Sequence, residues 1–140
     1  MNFLLDTCVI SELVKKTPNQ AVVDWIQQQN HANCFISSIT LGEIQKGISK
    51  LAVSAQKDDL QAWLNNDVRA RFIGQTIAIE ANEALQWGEV QAAAEAQGKP
   101  MPMIDSLIAA SAIFQDMTLV TRNTKDMEAS GVKLFNPWVL

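Results

Sequence analysis

Asn2-Phe3-Leu4-Leu5-Asp6-Thr7-Cys8-Val9-Ile10-Ser11-Glu12-Leu13-Val14 is the stretch on which the fold turns. Its short apolar run stops at a carboxylate, which predicts a buried strand over Asn2 to Leu5 that ends at Asp6. Thr7 then stands as a cap for a helical pattern in which Val9, Ile10, Leu13 and Val14 recur every three or four residues. The opening unit is strand, then helix.

The unit recurs along the chain. A helix over about Asn19 to Gln29 turns Val22, Val23, Trp25 and Ile26 to one side, and Cys34-Phe35-Ile36 is a second buried strand. Ser37-Ser38-Ile39-Thr40 opens a helix with Leu41, Ile44, Ile48 and Leu51 at helical spacing, and another helix over about Gln56 to Val68 carries Leu60, Trp63 and Leu64. A short strand is expected near Phe72-Ile73, before Gly74. A long helix from Ile77 to Ala96 places Ala81, Ala84, Leu85, Gly88 and Ala92 along one side, which predicts close packing there, and ends at Gly98-Lys99-Pro100. Pro102 suits the first turn of a helix bearing Ile104, Leu107, Ile108, Ala112 and Phe114; Thr118 to Thr121 and Val132 to Phe135 are the last strands. Strands alternating with helices of this length imply βαβ units and an α/β fold with a mostly parallel sheet covered on both faces, in a single domain over residues 1–140.

Composition narrows the chemistry. The chain has 140 residues, 48% of them apolar, with 11 basic and 15 acidic side chains for a net charge of -4. It holds 1 histidine (His31), 2 cysteines (Cys8 and Cys34) and no tyrosine. Zinc-finger and two-histidine metal sites therefore lack their parts, and His31 sits in the polar stretch Asn30 to Asn33, which reads as a solvated loop. Both thiols fall in apolar elements with no secretory signal ahead of them, so reduced cysteines and a cytoplasmic location are expected, and no apolar run is long enough to span a bilayer.

In an open parallel sheet, function gathers just beyond the carboxyl ends of the strands. Asp6 follows the first strand there; Glu43 falls in the first turn of the helix after the second; Asp105 falls in the first turn of the helix leading to the fourth; Asn123 and Asp126 follow the fourth. Each has a plain alternative. Thr40-Leu41-Gly42-Glu43 matches a capping box, Asp105 is an acid in a first helical turn, and Asn123 to Asp126 suits a capped turn. Asp6 is the exception, because a carboxylate at the mouth of a central strand costs several kcal/mol unless a cation or donors such as Thr7 meet it. Converging carboxylates call for a hard cation, Mg²⁺ or Mn²⁺, held through oxygen with waters retained, and the scarcity of imidazole and thiol agrees. The chemistry this implies is phosphodiester hydrolysis by a metal-activated water, with Asp6 and Asp105 on the metal and Glu43 or Asp126 orienting the water.

Four blocks carry a resemblance: Leu4 to Glu12, Ile36 to Ile44 with Gly47, Ile104 to Ala110, and Leu119 to Asp126. In order and spacing they resemble the PIN-domain ribonucleases, and among them the VapC-type toxins of bacterial type II toxin-antitoxin pairs. The resemblance implies a three-layer α/β/α sandwich and a metal site for Mg²⁺ or Mn²⁺ built from Asp6, Glu43, Asp105 and Asp126, with Thr121 and Asn123 in support. Some members carry the acid at the position of Asn123, so Asn123 and Asp126 both stand as candidates for the fourth place. Cys8 stands where Asn is common and Met127 where Phe is common. The resemblance further implies an endoribonuclease acting on structured RNA such as tRNA or rRNA, a cognate antitoxin and a homodimer.

A net charge of -4 gives little general attraction to a polyanion, so local cations must serve; Lys46, Lys50, Arg122 and Lys125 lie near the acids and are candidate phosphate contacts. Trp25, Trp63, Trp87 and Trp138 suit core or dimer packing, and Trp25 and Trp63 also suit a groove for an antitoxin segment. A haloacid-dehalogenase-type phosphatase needs a second Asp where Cys8 stands, and a receiver domain needs paired acids that are missing. Two other readings remain: a PIN-fold binding module without cleavage, and a metal-dependent nuclease acting on DNA.

Overall fold

The computed structural model describes residues 1–139. Five strands, β1 (Phe3–Leu5), β2 (Cys34–Ser37), β3 (Thr76–Ile77), β4 (Thr118–Val120) and β5 (Leu134–Phe135), form one sheet in the order β3-β2-β1-β4-β5. Every neighbouring pair is parallel, with Leu4 opposite Phe35 on one side and Leu119 on the other. Between the strands run α1 (Thr7–Leu13), α2 (Gln20–Gln28), α3 (Ser38–Ser49), α4 (Ala55–Ala62), α5 (Arg69–Arg71), α6 (Ala81–Ala96), α7 (Met103–Phe114) and α8 (Thr124–Met127). A π-helical segment, Trp63–Val68, joins α4 to α5.

Alternation along the strands separates two cores. Leu5, Ile36 and Val120 pack with α1, α2 and α3 through Val9, Ile10, Val22, Trp25 and Ile44. Leu4 and Leu119 turn the other way, onto Val90 and Ala94 of α6 and Ile108 to Ala110 of α7. The result is a three-layer α/β/α sandwich with the central strands buried on both faces, which is why they read as unbroken apolar runs.

Three expectations change. The third strand lies at Thr76–Ile77, not Phe72-Ile73: Phe72 is 2% exposed at the end of the preceding helix, and Gly74, with φ of 73°, turns the chain before the strand begins. The long helix begins at Ala81, because Ile77 belongs to β3. Its small-residue side is not packed within the chain: Ala81, Ala84, Leu85, Gly88 and Ala92 are exposed, while Glu83, Val90 and Ala94 are buried. The helix does end at Gly98, whose φ of 70° allows N–H bonds from Gly98 to Glu95 O and from Lys99 to Ala94 O.

Candidate active site

The sheet order places β1 and β4 side by side at its centre, with chain connections leaving them toward opposite edges; the crevice beyond their carboxyl ends is the position such sheets offer a ligand. Asp6 follows β1 and Thr121 follows β4. Asp6 is 4% exposed and caps α1 itself, Oδ1 accepting from the Thr7 N–H at 2.8 Å, so the cap is Asp6 and Thr7 is the first helical residue. Its Oδ2 accepts from the Thr121 hydroxyl at 2.8 Å, with the Cys8 thiol 3.9 Å away. Thr121 Oγ1 in turn accepts from the Asn123 N–H at 3.0 Å. Burial pushes the Asp6 carboxyl above its ordinary value, and the bonds from Thr121, Thr7 and Cys8 offset part of that. Burial and then the Asp6 charge also push the Cys8 thiol up, so it stays protonated and inert as a nucleophile.

Glu43 arrives by a different route from the one its sequence context suggests. Ser37 caps α3, its hydroxyl accepting from the Ile39 N–H at 3.1 Å, so Glu43 lies in the second turn and Thr40 to Glu43 is no capping box. Freed from a capping role, Glu43 Oε1 accepts from the Thr7 hydroxyl at 2.5 Å, and the buried Thr40 Oγ1 sits 3.0 Å from the same Thr7 oxygen. Thr7 thereby holds one acid with its backbone and another with its side chain.

Asp105 is in the first turn of α7, behind Pro102 as the sequence predicts. Its carboxyl is pushed above the ordinary range first by burial and then by the charges of Asp6, Asp126 and Glu43. One group therefore feels all the other candidate acids. Asp126 is in the first turn of α8, exposed, and the Asn123 side chain makes no capping bond there, so neither residue is used up by the turn that contains it.

Donor chemistry and side-chain placement bear differently on a cation. Among the described residues, no three His, Cys, Asp or Glu side chains stand close enough together to grip an ion at once. Mg²⁺, however, is held by one or two carboxylates and keeps several waters, so an all-oxygen set with Asp6 and Asp105 near its centre fits such an ion without a closed cage. Burial first, and then the charges of Asp6, Asp126 and Glu43, raise the Asp105 carboxyl, and a cation there would relieve both.

The candidate phosphate contacts divide. Lys46 lines a cleft of about 320 Å³ with Glu43, and Lys125 lines one of about 370 Å³ with Asp126. Lys50, at the end of α3, is exposed. Arg122 is committed elsewhere: Nη2 lies 3.2 Å from Glu12 Oε1 and the guanidinium stacks 4.5 Å from the Trp138 ring. Glu12, 4% exposed, also accepts from Lys15 at 2.9 Å and from the Asn19 N–H at 2.9 Å; the Lys15 bond is the main reason its carboxyl sits below the ordinary value. The sequence marks Thr40 as a helix cap and Trp138 as a packing residue and gives Glu12 no role; their partners here, Thr7, Arg122 and Asn19, are mostly remote in the chain. The sequence does carry a cue for Glu12: it sits on the helix directly after the Asp6 strand end.

Trp25 is 9% exposed and packs edge-on against Phe3, so it belongs to the core, and Trp63 packs against the same cluster.

Comparison with known proteins gives one family. The PIN domain profile matches residues 3–129. The plasmid stability protein StbB of Pseudomonas syringae pv. tomato is 33% identical over 135 residues, 96% of this chain and 97% of that protein. The VapC ribonuclease Y4jK of Sinorhizobium fredii is 31% identical over 135 residues, 96% of each chain. Toxin FitB of Neisseria gonorrhoeae is 32% identical over 135 residues, 96% of this chain and 97% of that protein. The crystal structure of FitAcB from Neisseria gonorrhoeae superposes with a TM-score of 0.94 at 32% identity, covering 99% of both chains.

Proposed function

The chain belongs to the PIN-domain family, and from that membership and the geometry of the acids we propose that it is a divalent-metal-dependent endoribonuclease, the toxin of a type II toxin-antitoxin pair. The observation that carries the reading is Asp6: a buried carboxylate at the central crevice, held on both oxygens, whose charge is felt by Asp105 together with those of Glu43 and Asp126. Relatives named a VapC ribonuclease and a toxin support it.

Asp6 and Asp105 would hold Mg²⁺ or Mn²⁺, with Glu43 and Asp126 completing the acidic ring and Asn123 beside Asp126. The ion supplies, when bound, activation of water and neutralisation of charge building on a phosphoryl oxygen. Everything else falls to the chain. Thr121 and the Thr7 N–H fix the two oxygens of Asp6, so the carboxylate is presented in one orientation. Thr7 Oγ1 holds Glu43 Oε1, leaving Oε2 to orient a water or take its proton. Lys46 and Lys125, which line the clefts beside Glu43 and Asp126, and the exposed Lys50 would contact the phosphates of an approaching strand, whereas Arg122, tied to Glu12 and Trp138, steadies the loop that carries Thr121 and Asn123.

The substrate is structured RNA, tRNA or rRNA, and the working form is a homodimer restrained by its cognate antitoxin in the cytoplasm. Among the described residues, no helix is long and apolar enough to cross a membrane. Residues 1–140 act as a single nuclease domain. Calorimetric titration with Mn²⁺ tests the metal site: wild-type protein binds, and Asp6→Asn and Asp105→Asn bind at least tenfold more weakly. Equal binding by all three would refute the assignment of these two acids.

A further inference from the structure

The first turn of α7 separates two clefts. Ile104 borders the one that contains Glu43 and Lys46, and Pro102 borders the other, which contains Asp126, Lys125 and Lys99. Asp105 lies in that same turn, and each cleft is lined by one of the other candidate acids, Glu43 in the first and Asp126 in the second.

The second cleft, about 370 Å³, is the more unusual electrostatically. Lys99 comes from the α6–α7 connection and Lys125 from α8, two elements with separate routes through the chain. Their side chains line one space, and among the described residues neither forms an ion pair, although Asp126 and Glu128 line it too. Arg122 and Lys133, in contrast, are each matched with a carboxylate. The backbone under Lys99 is fixed: Gly98 takes a φ of 70°, the Lys99 N–H bonds to Ala94 O at 2.9 Å, and Pro100 and Pro102 stiffen the segment leading into α7. Two ammonium groups without an ion-pair partner among the described residues, lining one cleft beside a nuclease centre in a chain of net charge -4, are placed for an anion that arrives from outside.

We infer that this cleft is a track for the substrate strand beside the acids, with Lys99 and Lys125 contacting its phosphates where the RNA passes the first turn of α7. The inference rests on the ribonuclease reading, and it adds Lys99, which lies outside the four blocks that carry the family resemblance.

The test measures binding separately from cleavage. In the Asp6→Asn background, which leaves RNA uncut, the affinity for fluorescein-labelled total tRNA is measured by anisotropy over a range of salt concentrations. The slope of log affinity against log salt falls by about 0.7 for each phosphate that is no longer neutralised, so Lys99→Ala should lower it by about 0.7 and the double variant with Lys125→Ala by about 1.4. Lys99→Arg keeps the parent slope, and Lys133→Ala, at the other end of the sheet, changes nothing. With an intact Asp6, Lys99→Ala raises KM for tRNA while kcat stays near the parent value. An unchanged slope in the double variant overturns the track. If the track variants lose binding but protein with Asp6 intact cuts no RNA in Mn²⁺, the ribonuclease reading fails while the anion-binding cleft stands.

Discussion

Asp6 carries a cost in stability although it caps α1. Hydrogen bonds from Thr121, Thr7 and Cys8 hold it, yet burial still leaves the carboxyl above its ordinary value, so the ionised form opposes folding. Asp105 shows the same sign, with repulsion from Asp6, Asp126 and Glu43 added to burial. A carboxyl whose folded value is raised costs stability above that value and costs nothing once both states are protonated. Asp105→Asn should therefore have a higher Tm than wild type at pH 7 in EDTA, and the gain should shrink as the pH falls toward about 4, the ordinary Asp range. A lower Tm for Asp105→Asn at pH 7 would show that the carboxylate is stabilising. Thr121→Val keeps the shape and removes the donor to Asp6 Oδ2; the expected result is a loss of about 1.5–3 kcal/mol in urea unfolding and about 10- to 100-fold in metal-dependent cleavage. At this scale the sequence was informative where a charge interrupted an apolar run, as at Asp6. It misled at Glu43, because Thr40 to Glu43 has the spacing of a capping box while the cap lies at Ser37, three residues earlier.

Elements meet around Glu12. Its carboxylate ties α1 to the α1–α2 connection through Asn19 and to the segment after β4 through Arg122, 110 residues away. Local pattern carries no trace of such a partner, which is why Arg122 reads as a free cation in the sequence. Lys15 and the Asn19 N–H hold the Glu12 carboxyl below its ordinary value, so its contribution is complete above about pH 4.3 and is lost as the pH drops through the lower folded value. Glu12→Gln should cost about 1–3 kcal/mol at pH 7 in denaturant unfolding, with the difference shrinking as the pH falls below about 4.3. A cost that does not shrink with falling pH would trace to packing instead of charge. In α3, a Cβ added at Gly47 meets nothing within 4 Å, so Gly47→Ala should raise stability by about 0.5–1 kcal/mol in the same assay. The third strand escaped the sequence because its 2 residues are too few to show a period, and Phe72, buried at a helix end, imitates a strand residue.

At the scale of the whole molecule, the parallel order β3-β2-β1-β4-β5 follows from alternating strands and helices, and the unbroken apolar runs of β1, β2 and β4 announce burial on both faces. That order brings the ends of β1 and β4 together, and with them Asp6 and Thr121, 115 residues apart. The meeting of Asp6 and Thr121 was thus legible from topology, whereas the hydrogen bonds that orient Asp6 and Glu43, through Thr7 and Thr121, required the folded chain. We propose that these acids perform metal-dependent RNA hydrolysis. The most direct test is incubation of total cellular RNA with the purified protein, freed of any antitoxin, in Mn²⁺ or Mg²⁺, in EDTA, and beside Asp6→Asn, with the fragment ends sequenced. Discrete cuts in a tRNA or rRNA that disappear in EDTA and fall at least about 100-fold in Asp6→Asn are the predicted result. Intact RNA, or cuts that persist in both controls, would contradict it.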